Sequence, residues 1–347
     1  MCGVSAPLDT LRDRARGCLL GGALGDALGG PVEFMSREAI LRTFPGGVDL
    51  DPPGHVTDDT QMTLFSADGL IRGRLAGTPG DALGRSEQMW RAYRRWLLTQ
   101  EVIEPAPGGD WLLSHVPLWA VRAPGNTCLS ALRGDRPGLV EQPVNESKGC
   151  GGVMRAAPAG FLPDVGEAYR VGCDLSALTH GHPSGWISGG ALALLTHLTA
   201  VRDVPLWDAV SEATAAAAAE PSGAEVARAL TATTDAARHR PGEPDVLVTL
   251  GEGWVAEEAL AIAVYAALSH PADVVAALRL AVEHGGDSDS TGAIAGNILG
   301  AASGVAALPR DWLARVELAE LIATVADDLA AAGAGEFAGL AERYPPT

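Results

Sequence analysis

The chain has 347 residues, 47% of them hydrophobic and 20% charged, a balance that excludes intrinsic disorder and collagen-like structure. Forty-three acidic residues oppose 25 basic ones, leaving a formal net charge of −18, which excludes general affinity for nucleic-acid backbones or anionic lipid. A phosphate-bearing ligand must therefore be held locally, by backbone amides, a few arginines or bound cations.

At the N-terminus, Arg12, Arg14 and Arg16 precede an apolar run from Gly17 to Gly25. Asp13 and Asp26 interrupt the pattern of a secretory leader. The glycines from Gly21 to Gly30 lack the G-x-G-x-x-G spacing and the preceding strand of a dinucleotide fold, so close helix packing is their expected use. Loops are expected at 45–54, 105–109, 134–143 and 240–244, where glycine and proline concentrate. Apolar residues recur at helical spacing through Gln61 to Leu75, Glu257 to Leu268, Val274 to Val282 and Trp312 to Leu329. The alanine tract Ala213 to Ala219 predicts helix, stopped at Glu220-Pro221 by proline. His239 to Thr249 is the best strand candidate of a poor set. These patterns predict an all-α protein, with residues 1–347 forming one domain.

No stretch reaches the length of a membrane span; even Ala191 to Val201 is broken by threonine and histidine. The five cysteines (Cys2, Cys18, Cys128, Cys150 and Cys173) form no C-x-x-C pair, which argues against a disulfide framework or a zinc site. The expected location is cytoplasmic.

Two acidic clusters carry the chemistry. Thr57, Asp58, Asp59 and Thr60 stand immediately before a helical stripe. Asp58 with Gln61 reads as a capping box, but a second adjacent carboxylate exceeds what a cap needs. Asp287, Ser288, Asp289, Ser290, Thr291 and Gly292 precede a small-residue helix over 293–304. This resembles the start of a calcium loop, yet its twelfth position is Ile298 where an EF-hand needs glutamate. The clusters lie 228 residues apart (287 − 59). Together they offer oxygen ligands alone, suited to Mg²⁺, Mn²⁺ or Ca²⁺ rather than zinc. Helix capping and a binuclear cation site are both open readings of these residues.

Five segments in order resemble the ADP-ribosylglycohydrolase family: GCLLGGALGDALGGPVE (17–33), TDDT (57–60), NESKGCGGVMR (145–155), THGHPSG (179–185) and GGDSDSTGAIAG (285–296). The resemblance implies a compact all-α bundle of orthogonally packed helices, with two Mg²⁺ or Mn²⁺ ions at helix N-termini. Carried over, the metal ligands are Thr57, Asp58, Asp59, Asp287, Asp289 and Ser290, with Thr291 as an alternative hydroxyl. Ser290 stands where the family usually has threonine. The implied activity is hydrolytic removal of ADP-ribose from a modified acceptor, foremost arginine in a protein, with Glu33 or Asp289 as general base. Glu33 matches a family glutamate above the metals. Ser147, Gly149, Gly151, Gly152 and Met154 are implied substrate contacts, the glycines admitting a pyrophosphate to backbone amides. His180, His182 and Asn126 are further substrate candidates, although some members have aspartate at the position of Asn126. Trp254 is a candidate for stacking on adenine. The implied partner is an ADP-ribosylated protein or a small molecule containing ADP-ribose. Competing readings are another ADP-ribose linkage (O-linked serine, O-acetyl-ADP-ribose, nucleic-acid ADP-ribose), a non-catalytic ADP-ribose-binding relative, and a magnesium-dependent phosphohydrolase.

Overall fold

Alanine- and leucine-rich segments with few β-branched runs favour helix over strand. The computed structural model, which describes residues 6–77, 82–102 and 110–345, bears this out. In chain order the helices are α1 (Leu8–Gly29), α2 (Arg37–Thr43), α3 (Asp58–Leu75), α4 (Ala82–Glu101), α5 (Asn126–Leu132), α6 (Val165–Ala177), α7 (Pro183–Ala200) and α8 (Leu206–Ala219). They continue with α9 (Ala224–His239), α10 (Pro244–Leu250), α11 (Ala256–Ser269), α12 (Val274–Val282), α13 (Ser288–Ser303), α14 (Arg310–Leu313), α15 (Ala319–Ala334) and α16 (Leu340–Arg343). Among the described residues there is no β-strand, only isolated bridges such as Gly149 to Val255. One hydrophobic cluster runs from Leu11 to Tyr344, so the helices share a core.

The centre is a pair of helices stripped of side chains where they meet. Gly17, Gly21, Gly25 and Gly29 of α1 recur every four residues and so fall on one face. They meet Gly300, Gly296, Gly292 and Ser288 of α13 in reverse order, so the helices run antiparallel. A Cβ at Gly25 would lie 1.9 Å from the Gly292 oxygen, and one at Gly21 2.4 Å from the Gly296 oxygen. Glycine is obligatory here because backbone packs directly on backbone. The glycine run is a packing seam, as its spacing predicts.

Three local expectations need correction. The segment from His239 to Thr249 is helical at both ends, in α9 and α10, because proline suits the first turn of α10, where Val246 and Leu247 are buried while Val248 faces solvent. The stripe from Trp312 to Leu329 is not continuous: Leu318 takes a left-handed conformation (φ 61°) and separates α14 from α15. The cap of α3 is Thr57, whose hydroxyl accepts from the Asp59 amide at 3.3 Å. Gln61 is not half of a capping box; its side chain donates to the Ala120 carbonyl and accepts from Trp96 and Gln100. The expected loop at 105–109 lies outside the described residues. The alanine tract ends at Ala219, as the proline predicts.

Candidate active site

Antiparallel packing of α1 and α13 brings Gly29, at the end of one helix, against Ser288, at the start of the other. The chain leaving α1 delivers Glu33 to the N-terminus of α13, where one carboxylate oxygen each of Glu33, Asp287 and Asp289 lie within 4.8 Å of one another. The N-terminus of α3 supplies Asp58 and Asp59. All five carboxylates, with Ser290, line one cavity of about 350 Å³.

A residue that sequence reasoning used only as an interruption locks the α3 end in place. Asp26, fully buried in α1, accepts from the amides of Thr57 and Thr60 at 3.0 Å and from the Thr60 hydroxyl. Its signal was legible: a carboxylate inside an apolar glycine helix must be met by donors. Asp58 accepts from the Gly125 amide at 3.2 Å. The Asp287 amide donates to the Glu252 carbonyl at 2.8 Å, and the Cys150 thiol lies 2.6 Å from its carboxylate.

The electrostatics are those of a site built for cations. Burial, then the charge of Asp289, holds Asp58, Asp59 and Asp287 well above the usual carboxylate range. The same two causes push Glu33 up to about 8 and Asp26 to about 7. Asp59 Oδ1 is buried with no hydrogen-bond partner. Converging carboxylates, an orphaned buried oxygen and an all-oxygen ligand set together fit a hard divalent cation. Thr291 drops out as an alternative ligand, since its hydroxyl donates to backbone within its own turn and meets His284. Ser290 faces the cavity instead.

The same cavity is lined by Asn126, Gly149, Gly151, Met154 and His180. The glycines have a structural reason beyond ligand approach. A Cβ at Gly151 would lie 2.9 Å from both Cys128 Sγ and His180 Cε1, and one at Gly149 3.3 Å from His180 Nε2. Of the amides expected at a pyrophosphate, that of Gly149 donates to Ser147 Oγ at 3.3 Å, so Gly151 is the nearer candidate. His180 is buried, and desolvation followed by the Arg155 charge lowers it to about 3. Its Nδ1 meets Thr179 Oγ1 at 2.8 Å, which also accepts from Arg155 at 2.6 Å. Arg155, overlooked in the sequence, is fully buried over the Tyr93 ring.

Four expected site residues do not line this cavity. His182 caps α7, its Nδ1 accepting from the Ser184 amide at 3.1 Å. Ser147 serves the glycine loop internally, and Gly152 packs on Ser176. Thr57 caps α3 and faces a neighbouring cavity. Trp254 does line the site, stacked on Phe34 at its mouth.

A family model described as ADP-ribosylglycohydrolase matches residues 7–338. The chain belongs to this family. It is accordingly a hydrolase of the ADP-ribosylglycohydrolase family. It is 27% identical over 326 residues to ADP-ribosyl-[dinitrogen reductase] glycohydrolase of Rhodospirillum rubrum, covering 89% of this chain and 92% of that one. It is 27% identical over 339 residues to ADP-ribosylarginine hydrolase Tri1 of Pseudomonas putida (strain GB-1), covering 91% and 78%. In fold it is similar to a solved structure titled "ADP-ribosylglycohydrolase-related protein complex", with a TM-score of 0.65, 24% identity and coverage of 94% and 99%. No helix among the described residues is long and apolar enough to cross a membrane.

Proposed function

We propose that this protein hydrolyses the N-glycosidic bond between ADP-ribose and arginine in a modified protein, using two Mg²⁺ or Mn²⁺ ions. One observation carries the reading: five carboxylates from three distant segments converge on a single cavity that a glycine loop and a buried neutral histidine also line. The name of one relative, ADP-ribosylarginine hydrolase Tri1, favours arginine as acceptor, and that of the other a modified protein as substrate.

Asp58, Asp59, Asp287, Asp289 and Ser290 would hold the ions. Bound divalent cations supply Lewis acidity, acidify water and neutralise the pyrophosphate charge. Glu33 or Asp289 takes the proton of the attacking water, both being positioned at the N-terminal end of α13. The same carboxylates stabilise positive charge building on the ribose as the bond to nitrogen lengthens. Asn126, Gly151, Met154 and His180 line the wall on which ADP-ribose rests. A neutral His180 offers a hydrogen bond without adding charge.

The test is release of ADP-ribose from arginine-ADP-ribosylated protein with Mg²⁺, with Mn²⁺ and with EDTA, read by product mass. Intact ADP-ribose, dependent on the metal and abolished in the Asp287→Ala, Asp289→Ala double variant, is expected. AMP as product would establish a phosphohydrolase instead. Release only from serine-linked or O-acetyl substrates would replace the arginine reading.

A further inference from the structure

Glu33 separates two cavities. Behind it, away from the glycine loop, lies a second space of about 330 Å³, and Glu33 and Ala123 line both. Phe34 and Ala123 flank this shared wall in left-handed conformations (φ 65° and 49°), backbone states that non-glycine residues keep only where the surroundings enforce them, often at functional sites.

The second cavity is acidic where it is not already neutralised. Arg122 is tied down by Glu317 and by the Val56 carbonyl at 2.8 Å. His55 also faces Glu317, at 3.0 Å. Asp51 lines the same space, is exposed, and has no ion pair or hydrogen bond among the described residues. Glu33 adds a second carboxylate.

A sugar bonded to its acceptor extends in two directions from the anomeric carbon. With the ribose over the carboxylate cluster and the remaining ADP along the glycine-loop wall, the first cavity is occupied by one ligand. Glu33, lining both spaces, is the wall between that ligand and the second cavity. We propose that the second cavity is the acceptor subsite and receives the guanidinium side chain of the modified arginine, with Asp51 facing its charge. This rests on the arginine reading above. A guanidinium keeps its charge and suits carboxylate partners geometrically. In the reaction, the water's hydroxyl joins the anomeric carbon, the carbon–nitrogen bond breaks, and a proton goes to the departing guanidine nitrogen.

The test compares wild type with Asp51→Asn, Asp51→Lys and Asp51→Glu, all at an exposed position. A solvent-accessible ion pair predicts that Asp51→Asn raises KM for arginine-ADP-ribosylated protein about 5-fold. Asp51→Lys should raise it further, and Asp51→Glu should stay near wild type. Inhibition by free ADP-ribose is expected to be unchanged throughout, a pattern that general damage to the fold does not give. Agmatine, a small guanidinium compound, should bind the wild-type protein loaded with Mg²⁺ and ADP-ribose, as followed by NMR, and not the Asp51→Lys variant. Wild-type KM and wild-type agmatine binding in Asp51→Lys would overturn the subsite, as would absence of agmatine binding to wild type. Failure of the arginine reading is visible separately, in wild type alone, as no ADP-ribose released from arginine; agmatine binding still decides the subsite in that case.

Discussion

Trp254 stacks on Phe34 with ring centroids 5.3 Å apart and planes 21° from parallel. Phe34 directly follows Glu33 and is 73% exposed, so the stack fixes the residue beside the general-base candidate. Trp254 is itself held through its carbonyl, which accepts from the Cys150 amide at 3.2 Å. Trp254→Ala is expected to lower kcat about 10-fold, equivalent to roughly 1.4 kcal/mol of lost orientation. Inhibition by ADP-ribose should change little, and Trp254→Phe should restore turnover. If Trp254 instead stacks on adenine, ADP-ribose inhibition weakens while kcat holds, and steady-state kinetics separate the two.

Asp26 organises the start of α3 from beneath. Asp26→Ala removes the acceptor for two amides and a hydroxyl in a fully buried setting. Stranding buried donors costs about 1–3 kcal/mol each, so a large fall in melting temperature is expected, with weaker Mg²⁺ or Mn²⁺ binding by calorimetry. Unchanged metal affinity in a folded variant would separate Asp26 from the site.

The glycine seam predicts a sharp contrast between two alanine substitutions. Gly25→Ala forces a methyl within 1.9 Å of the Gly292 oxygen, and overpacking of this kind costs about 1–3 kcal/mol or more. Gly46→Ala meets nothing within 4 Å and should stay within about 0.5 kcal/mol of wild type. Urea denaturation of both variants checks this. Equal stabilities would mean that α1 and α13 tolerate separation.

Glu33 gives the metal-free protein a pH signature. Burial and the Asp289 charge push Glu33 up to about 8 from an ordinary 4.5. Between those values the folded chain keeps a proton that the unfolded chain releases, so this contribution is complete below pH 4.5 and lost as pH rises toward 8. Glutamine at this position carries no such titration. In EDTA, the melting temperature of Glu33→Gln relative to wild type should therefore climb from pH 4.5 to 8. With saturating Mg²⁺ the sign should reverse at neutral pH, because the ionised carboxylate then faces cations. A pH-independent difference in EDTA would show that Glu33 is ordinarily hydrated.

Helical periodicity, proline stops and turn glycines determined the all-α character of the chain, because these depend on neighbours three or four residues away. The stripes of α3, α11 and α12 emerged nearly intact, while the one beyond Trp312 broke at Leu318, where a left-handed residue redirects the chain for tertiary reasons. The acidic pairs Asp58–Asp59 and Asp287–Asp289 were legible as unusual, because charged groups so close together need a reason. What sequence alone did not decide was which neighbours served structure. His182 became a helix cap, Gly152 a contact for Ser176, and Asp26 an anchor for Thr57 and Thr60. A cap, a contact and a ligand use the same atoms, and only the partner across the fold distinguishes them. The convergence of residues 33, 58 and 287 on one cavity is likewise a product of α1 lying bare against α13, a packing of backbone on backbone that only the tertiary structure decides.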